Sequence, residues 1–337
     1  MRHLIQNKIA ELIRKHTSPG IIQNLCQKRL NLFAGEAREQ GFAPCIDFPY
    51  HLARGLGASA DKAEAVSVLS TLIYLGCDLL DDFHDNDLPQ DTEEYSAPQV
   101  TLASSIFLSV LPTLAASQYL VSADAMEACR LIAEALAVMA AGQSRDVQSR
   151  FNPKLSVEEI EDNIRAKSGE ELALFGRLSA LVSDKNQADS LARFGAHTAT
   201  ALQIASDLTD LFSAPASKDL KEGVFTIPLA LHWLRLPEKE KPFFLRVWRE
   251  SALNPATRQV LCNFLRESGA AAHTAFMIET FLHRGEKELS SLPLQGDSLH
   301  GLQALIEKIS DYALSYLRSY LHLPEKEKTP QSVFLAM

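Results

Sequence analysis

Apolar residues recur every three to four positions along almost the whole chain, the spacing of amphipathic helices. No run alternates apolar and polar residues as a half-buried strand does. The pattern predicts helices over residues 3–16, 20–40, 60–87, 99–119, 123–149, 156–182, 186–212, 224–235, 240–250, 255–267, 270–291 and 298–321. Turn-forming residues mark loops at Pro44 to Pro49, Leu88 to Pro98, Ser213 to Ser217 and Leu292 to Asp297. No shift of composition or long linker divides the chain, so the expectation is a single all-α domain over residues 1–337.

Two apolar stretches resemble targeting or membrane segments by length alone. Residues 1–16 scatter charges through an amphipathic pattern and lack a signal-peptide core. The run Val100 to Val121 carries Pro112 and several Ser, Thr and Gln residues, which predicts a buried core helix rather than a membrane span. A short repeat, Leu236 to Lys241 and again Leu323 to Lys328, has the composition of a solvated helix connection.

Composition narrows the function. With 337 residues, 46% hydrophobic and 22% charged, the chain is long enough to bury a large core. Its net charge of -9 argues against nucleic acid or an anionic membrane surface as partner. Five cysteines, an odd number without metal-ligand or disulfide spacing, read as reduced thiols of a cytoplasmic protein.

Against that background two acidic clusters, roughly 125 residues apart, stand out on otherwise apolar helices. In the first, Asp78, Asp81, Asp82 and Asp85 fall at i, i+3, i+4 and i+7, one helical face. Four such carboxylates repel each other, and aspartate is a poor helix former, so the pattern favours metal binding over a solvated helix end. In the second, Gln203, Asp207 and Asp210 share a face and are followed by the basic, glycine-containing stretch Lys218 to Thr226. Facing carboxylates suit hard divalent cations, and ammonium and backbone N–H groups beside them suit a diphosphate. Between the clusters lie Gln143, Asp146, Arg165 and Lys167, the last beside Ser168 and Gly169.

These segments, in this order, resemble the trans-isoprenyl diphosphate synthase superfamily over residues of about 54–231. The resemblance rests on a DDxxD motif (Asp81, Asp82, Asp85), a GQxxD segment (Gln143, Asp146) and a KSG segment (Lys167, Ser168). A second metal motif with its KDLxxGxxTxP tail (Gln203, Asp207, Asp210, Lys218, Asp219, Gly223, Thr226, Pro228) completes it. It implies a single-domain helical bundle around a central cavity, commonly a homodimer. It also implies three Mg²⁺ ions held by Asp81, Asp82, Asp85, Asp207 and Asp210, and ionisation of an allylic diphosphate to a carbocation. Gln143, Arg165, Lys167, Gln203 and Lys218 would bind the substrate, and Asp81, Asp82, Asp85, Lys167 and Asp207 would carry the catalysis. The proton-transfer residue stays open among His51, His84, His197 and His232.

The chain departs from the family's condensing enzymes where they hold isopentenyl diphosphate. The stretch Phe48 to Gly57 keeps only His51 and Arg54 as basic groups, and Leu88 to Ser96 has Glu93 and Glu94 but no arginine. Ser206 also stands where condensing enzymes usually carry another aspartate. The leading expectation is therefore a synthase-like terpene synthase that cyclises or quenches the cation from farnesyl or geranylgeranyl diphosphate. The alternative is a prenyltransferase, elongating with isopentenyl diphosphate or modifying a peptide. Bacterial peptide-pheromone prenyltransferases share the extra aspartates at Asp78 and Asp87. A third reading is a non-catalytic subunit of a heteromeric synthase. Small residues at Gly76 and Cys77 are expected to leave room for a chain of fifteen carbons or more.

Overall fold

The computed structural model describes residues 1–85, 88, 95–213, 217–294, 296 and 298–308. Asp87, Glu93, Glu94, the helix expected beyond residue 308 and the second copy of the repeat lie outside the described residues. Among the described residues there is no strand. The chain runs through α1 (Arg2–His16), α2 (Ile21–Gln40), α3 (Pro44–Gly55), α4 (Ala60–His84), α5 (Ala97–Ser105), α6 (Leu111–Tyr119) and α7 (Ser122–Ser149). It continues with α8 (Val157–Ile164), α9 (Glu170–Val182), α10 (Ala188–Ser213), α11 (Lys218–Glu222) and α12 (Ile227–Arg235), then α13 (Lys241–Ser251), α14 (Pro255–Glu267) and α15 (Ala270–Ser290). Residues 298–308 are helical as well.

Helix α4 is the axis of the fold. Ser59 caps its start, and it is buried nearly all round from Ala63 to Leu79, with α3, α5, α6 and α9 against it. A helix apolar on every side belongs in a core, and 72% of its most apolar window is buried. The second stretch apolar enough to cross a membrane, Ala97–Tyr119, is only 44% buried. It is thus half enclosed rather than the buried core helix expected, and it turns Leu102 and Val110 outward.

Where sequence and structure differ, proline and backbone geometry explain it. The loop expected at Pro44 to Pro49 is the first half of α3. Pro44 sits in the first turn, where no N–H is needed, and the Asp47 carboxylate accepts the Ala43 N–H at 2.8 Å. Pro49 cannot donate within the helix, which leaves the Cys45 carbonyl one turn back without its partner; the Thr71 hydroxyl of α4 donates to it at 3.5 Å, and Ser67 of the same helix donates to Ile46 O at 3.1 Å. The helix expected over 99–119 contains a π-helical turn, Ile106–Val110, just before Pro112, and that expected over 156–182 contains another, Arg165–Gly169. The helix expected from 224 starts at Ile227, because Gly223 is left-handed (φ 70°) and ends the short α11 instead.

Close backbone approach fixes α9 against α10. A Cβ on Gly195 would lie 2.2 Å from the Leu172 carbonyl oxygen, and one on Gly176 would lie 2.5 Å from that of Leu191. Only glycine fits, and the two helices that carry the Lys167 turn and the second acidic cluster are thereby held at a set separation. The small residue Gly76 serves packing too. A Cβ there would meet Leu108 at 2.6 Å, so the room expected beside it is filled by the first π turn.

Candidate active site

The first cluster occupies the C-terminal end of α4. Asp78, Asp81 and Asp82 lie on the helix, and the Asp85 N–H donates back to Asp81 O at 2.9 Å as the helix stops. Two arginines with no motif around them hold this end. Arg29, on α2 and 4% exposed, pairs with Asp78 and reaches Asp82 at 2.8 Å. Burial opposes its charge, but Asp78 and Asp82 outweigh that and hold its pKa above the usual arginine value. Asp78 is nonetheless raised, because its own burial exceeds what Arg29 returns. Arg150, just after α7, pairs with Asp85 at 2.5 Å and with Glu222 of α11 at 2.8 Å, tying both walls of the site together.

Lys167 lies between the walls. It sits in the π turn Arg165–Gly169, whose widened backbone interrupts the register between α8 and α9. Its ammonium is 3.0 Å from Asp146 and 3.3 Å from Asp81. Burial works against the charge, yet the two carboxylates prevail and raise its pKa. Gly142 permits this approach: a Cβ there would stand 2.9 Å from Ala166 Cβ and 3.2 Å from Lys167 Cγ. One residue on, Gln143 Nε2 donates to Asp81 Oδ1 at 3.1 Å.

A short relay joins the π turn to the second cluster. Ser168 Oγ donates to Gln203 Oε1, and Gln203 Nε2 donates to Asp207 Oδ1, each at 2.8 Å. Burial pushes the Asp207 carboxyl up to about 7, with Asp146 and Asp210 adding to the rise against the Gln203 bond. Asp210 serves the loop that follows. It accepts from the Ser217 hydroxyl, from the Lys218 N–H at 3.0 Å and from the Asp219 N–H at 3.2 Å. Three of its roughly four acceptor positions are thereby engaged in holding the start of α11. Asp219 completes the wall. Burial first, then the charges of Asp207, Asp210, Asp85 and Asp146, hold it well above the usual carboxylate range. Asp85 is raised by burial and by Asp81.

The structure thus gathers Asp81, Asp82, Asp85, Gln143, Lys167, Gln203, Asp207 and Asp210 around one region. It does not bring Arg165 there. That side chain pairs with Glu161 at 2.7 Å, lies over the Phe281 ring and borders an outer cavity of about 710 Å³ with Arg145, Asn152 and Asn163. Lys218 is exposed at the start of α11. His51 and Arg54 are committed elsewhere: the His51 ring packs against Gly301, and Arg54 donates to Ala58 O at 2.5 Å. Ser206 is exposed on α10. Sequence reasoning missed Arg29, Arg150 and Glu171, and it did not place Asp219 at the site. Only Glu171 carried a signal, a carboxylate entering the apolar run Leu172 to Val182.

Among the described residues no three acidic, histidine or cysteine side chains converge as a ready metal-ligand set. The donors present still fit Mg²⁺. That ion takes one or two carboxylates and completes its shell with water and substrate phosphate, so it needs no closed protein cage. Asp219 feels the charges of Asp207 and Asp210 on its own wall and of Asp85 on the other, and added cations would relieve that repulsion.

The structure thus sets hard oxygen donors on two walls with a lysine between them, inside an all-α helical bundle. The chain belongs to the polyprenyl synthetase family, whose model matches residues 50–257. It is 26% identical over 275 residues to the nonaprenyl diphosphate synthase of Mycobacterium tuberculosis, covering 78% of this chain and 80% of that protein. Its fold matches the geranylgeranyl pyrophosphate synthetase of Pyrococcus horikoshii with a TM-score of 0.79 at 19% identity, over 91% of this chain and 95% of that one. A polyprenyl synthase of Caulobacter crescentus, complexed with calcium and isoprenyl diphosphate, matches with a TM-score of 0.74 at 20% identity, over 93% and 95%.

Proposed function

We propose that this chain is a Mg²⁺-dependent prenyltransferase that ionises an allylic isoprenyl diphosphate and joins the cation to isopentenyl diphosphate, lengthening the chain. The observation that carries this reading is the placement of Lys167 between Asp81 and Asp146, with Asp207 linked to the same turn through Ser168 and Gln203. Family membership and the polyprenyl synthase names of the similar proteins support transfer over the cyclisation expected first. Bound by Asp81, Asp82 and Asp85 on one wall and Asp207 and Asp210 on the other, Mg²⁺, up to three ions, would supply charge neutralisation for the departing diphosphate.

The chain's own groups do the rest. Lys167, a charged donor already desolvated, grips the diphosphate oxygens, and its pairing with Asp81 and Asp146 keeps it protonated and aimed. Gln143 and Gln203 orient the carboxylates on either wall. The apolar faces of α4, α7 and α9 keep water from the cation. The five cysteines are free thiols, which suits a cytoplasmic enzyme. The outward-facing Leu102, Val110, Met126 and Val138 on and between α5 and α7 suit burial against a second copy, as a homodimer.

A second reading, the terpene synthase, is favoured by one observation: His51 and Arg54, the basic groups left in the Phe48 to Gly57 stretch, are both engaged away from the site. One experiment separates the readings. The protein is incubated with Mg²⁺ and geranyl, farnesyl or geranylgeranyl diphosphate, with and without isopentenyl diphosphate. Longer diphosphates only when isopentenyl diphosphate is present support transfer; hydrocarbon or alcohol from the single substrate overturns it. If Asp82→Asn leaves function in cells unchanged, the chain is a non-catalytic subunit.

A further inference from the structure

The segment that leaves α7 ties the two acidic walls together through a strained residue. Phe151 has φ 59°, and among the described residues it is the only non-glycine residue at positive φ. A side chain with a Cβ crowds the backbone there, so the conformation persists only where its surroundings hold it. Those surroundings belong to the Gly223 loop. The Phe151 N–H donates to Gly223 O at 2.7 Å, and the ring lies over Gly223 so closely that a Cβ on that glycine would stand 2.5 Å from ring carbons. The ring is 58% exposed, so filling a core is not its role.

Arg150, the residue before it, spans the gap between the walls. One guanidinium nitrogen donates to Asp85 at 2.5 Å; the other donates to Glu222 at 2.8 Å and lies 3.3 Å from His84 O. Nε is shielded and has no hydrogen-bond partner, so only the two ends of the fork are engaged, one on each wall. The base of the segment is fixed. The Asn152 N–H donates to Ser149 O at 3.0 Å, and the Ser149 hydroxyl donates at 2.8 Å to the carbonyl of Asp146, the partner of Lys167. Its far end reaches the second wall, because Glu222 closes α11 and the Val224 N–H donates to the carbonyl of Asp219 at 2.8 Å.

We propose that Arg150 and Phe151 are positioning residues, a clasp that couples cation binding at Asp85 to the placement of the Gly223 loop. This inference rests on the Mg²⁺ part of the reading above. A guanidinium and a divalent cation compete for the same carboxylate, so Arg150 lets go of Asp85 when a cation is held there. Glu222 and Phe151 keep the other end of the clasp on the loop, and α11 with Asp219 is then free to shift against the end of α4. Such coupling is reciprocal: the hold of Arg150 on the loop also sets how tightly Asp85 takes a cation. The fold supplies a reporter. Phe225, two residues beyond Gly223, meets Trp248 edge-on at 5.1 Å, and Trp248 is 2% exposed, so movement of the loop changes the surroundings of a buried indole.

The test uses a Trp233→Phe parent, in which Trp248 is the only indole left. Arg150→Gln, Glu222→Gln and Phe151→Gly are added to it singly, and each protein is titrated with Mg²⁺, alone and with inorganic diphosphate. Calorimetry reads affinity, and Trp248 emission reads the loop. In the parent, emission shifts along the binding curve. Arg150→Gln binds Mg²⁺ about three- to ten-fold more tightly, because the competitor is gone, and its Trp248 no longer responds. Glu222→Gln leaves Arg150 on Asp85, so it binds no more tightly than the parent, yet its Trp248 is silent too. Phe151→Gly adopts the left-handed backbone freely and loses only the ring, and its Trp248 response weakens. Unchanged or weaker Mg²⁺ binding by Arg150→Gln overturns the competition at Asp85. A parent whose Trp248 does not respond, or a parent-like response in Arg150→Gln or Glu222→Gln, overturns the clasp; a parent-like response in Phe151→Gly overturns the part given to Phe151. If Arg150→Gln fails to fold by circular dichroism, Glu222→Gln decides alone. A parent that takes up no Mg²⁺ in either condition overturns the Mg²⁺ reading and the inference with it.

Discussion

Glu171, in the first turn of α9, is raised by burial and by the charges of Asp78 and Asp81, and it makes a prediction about stability that needs no substrate. A glutamate of ordinary pKa 4.5 in the unfolded chain is moved to about 8 in the folded one. Between those values the folded state holds a proton that the unfolded state has lost. Stability therefore falls as pH rises through that window, and it is flat below 4.5 and above 8. The gap from 4.5 to about 8, at about 1.36 kcal/mol per pH unit, sets a ceiling near ~5 kcal/mol. The residue is not wholly enclosed, so roughly 2–3 kcal/mol is the working figure. With an unfolding entropy of about 2.1 cal/mol/K per residue, that is a shift of about 3–4 °C in Tm for a chain of this length. Thermal melts of wild type and Glu171→Gln in excess chelator, at pH 5 and pH 9, read it directly. The two proteins melt together at pH 5, and the Gln variant melts higher by that margin at pH 9. Burial raises Asp207 and Asp219 as well, but their contribution is common to both proteins and cancels in the difference. A difference in Tm that is the same at both pH values refutes the assignment of Glu171 as a carboxyl raised by burial.

Two further outcomes follow from packing and charge. Arg29→Met removes the buried cation between Asp78 and Asp82 and lowers stability in urea unfolding by about 3 kcal/mol. Adding Asp78→Asn restores about 1 kcal/mol or more, because it removes a carboxylate left without its partner, whereas strictly additive losses would refute the pairing. Gly195→Ala forces a methyl against the Leu172 carbonyl of α9 and costs about 2–4 kcal/mol; a cost within about 0.5 kcal/mol of zero would refute the close approach.

The helices were legible because their signal is local. A periodic apolar face declares itself within about a dozen residues, and α1, α2, α7 and α15 fall close to their expected ends. The π turns were not legible. They change the bond partner of a few carbonyls without disturbing the apolar pattern, and the turn at Arg165–Gly169 became apparent only from the backbone. Pro44 and Pro49 misled for a related reason. Read alone they break a helix, whereas Thr71 and Ser67, hydroxyls far away in sequence, serve the carbonyls around the break.

The site divides along the same line. Carboxylates at helical spacing announce themselves, since four acids on one face need an explanation that a few residues of sequence can pose. The cations that answer them come from elsewhere, and no spacing rule connects the two. Arg29 stands 49 residues before Asp78, and Arg150 stands 65 after Asp85. The sequence therefore reads as short of positive charge around the first cluster, and only packing shows that α2 and the end of α7 supply it. Both arginines are bound to carboxylates on which the Mg²⁺ reading depends. Loading the site must then loosen or redirect Arg29 and Arg150, and Arg150 also holds Glu222 at the base of the Gly223 loop. Charge balance in this protein is thus coupled to the contact between its two acidic walls. Neither cluster could have revealed that by itself.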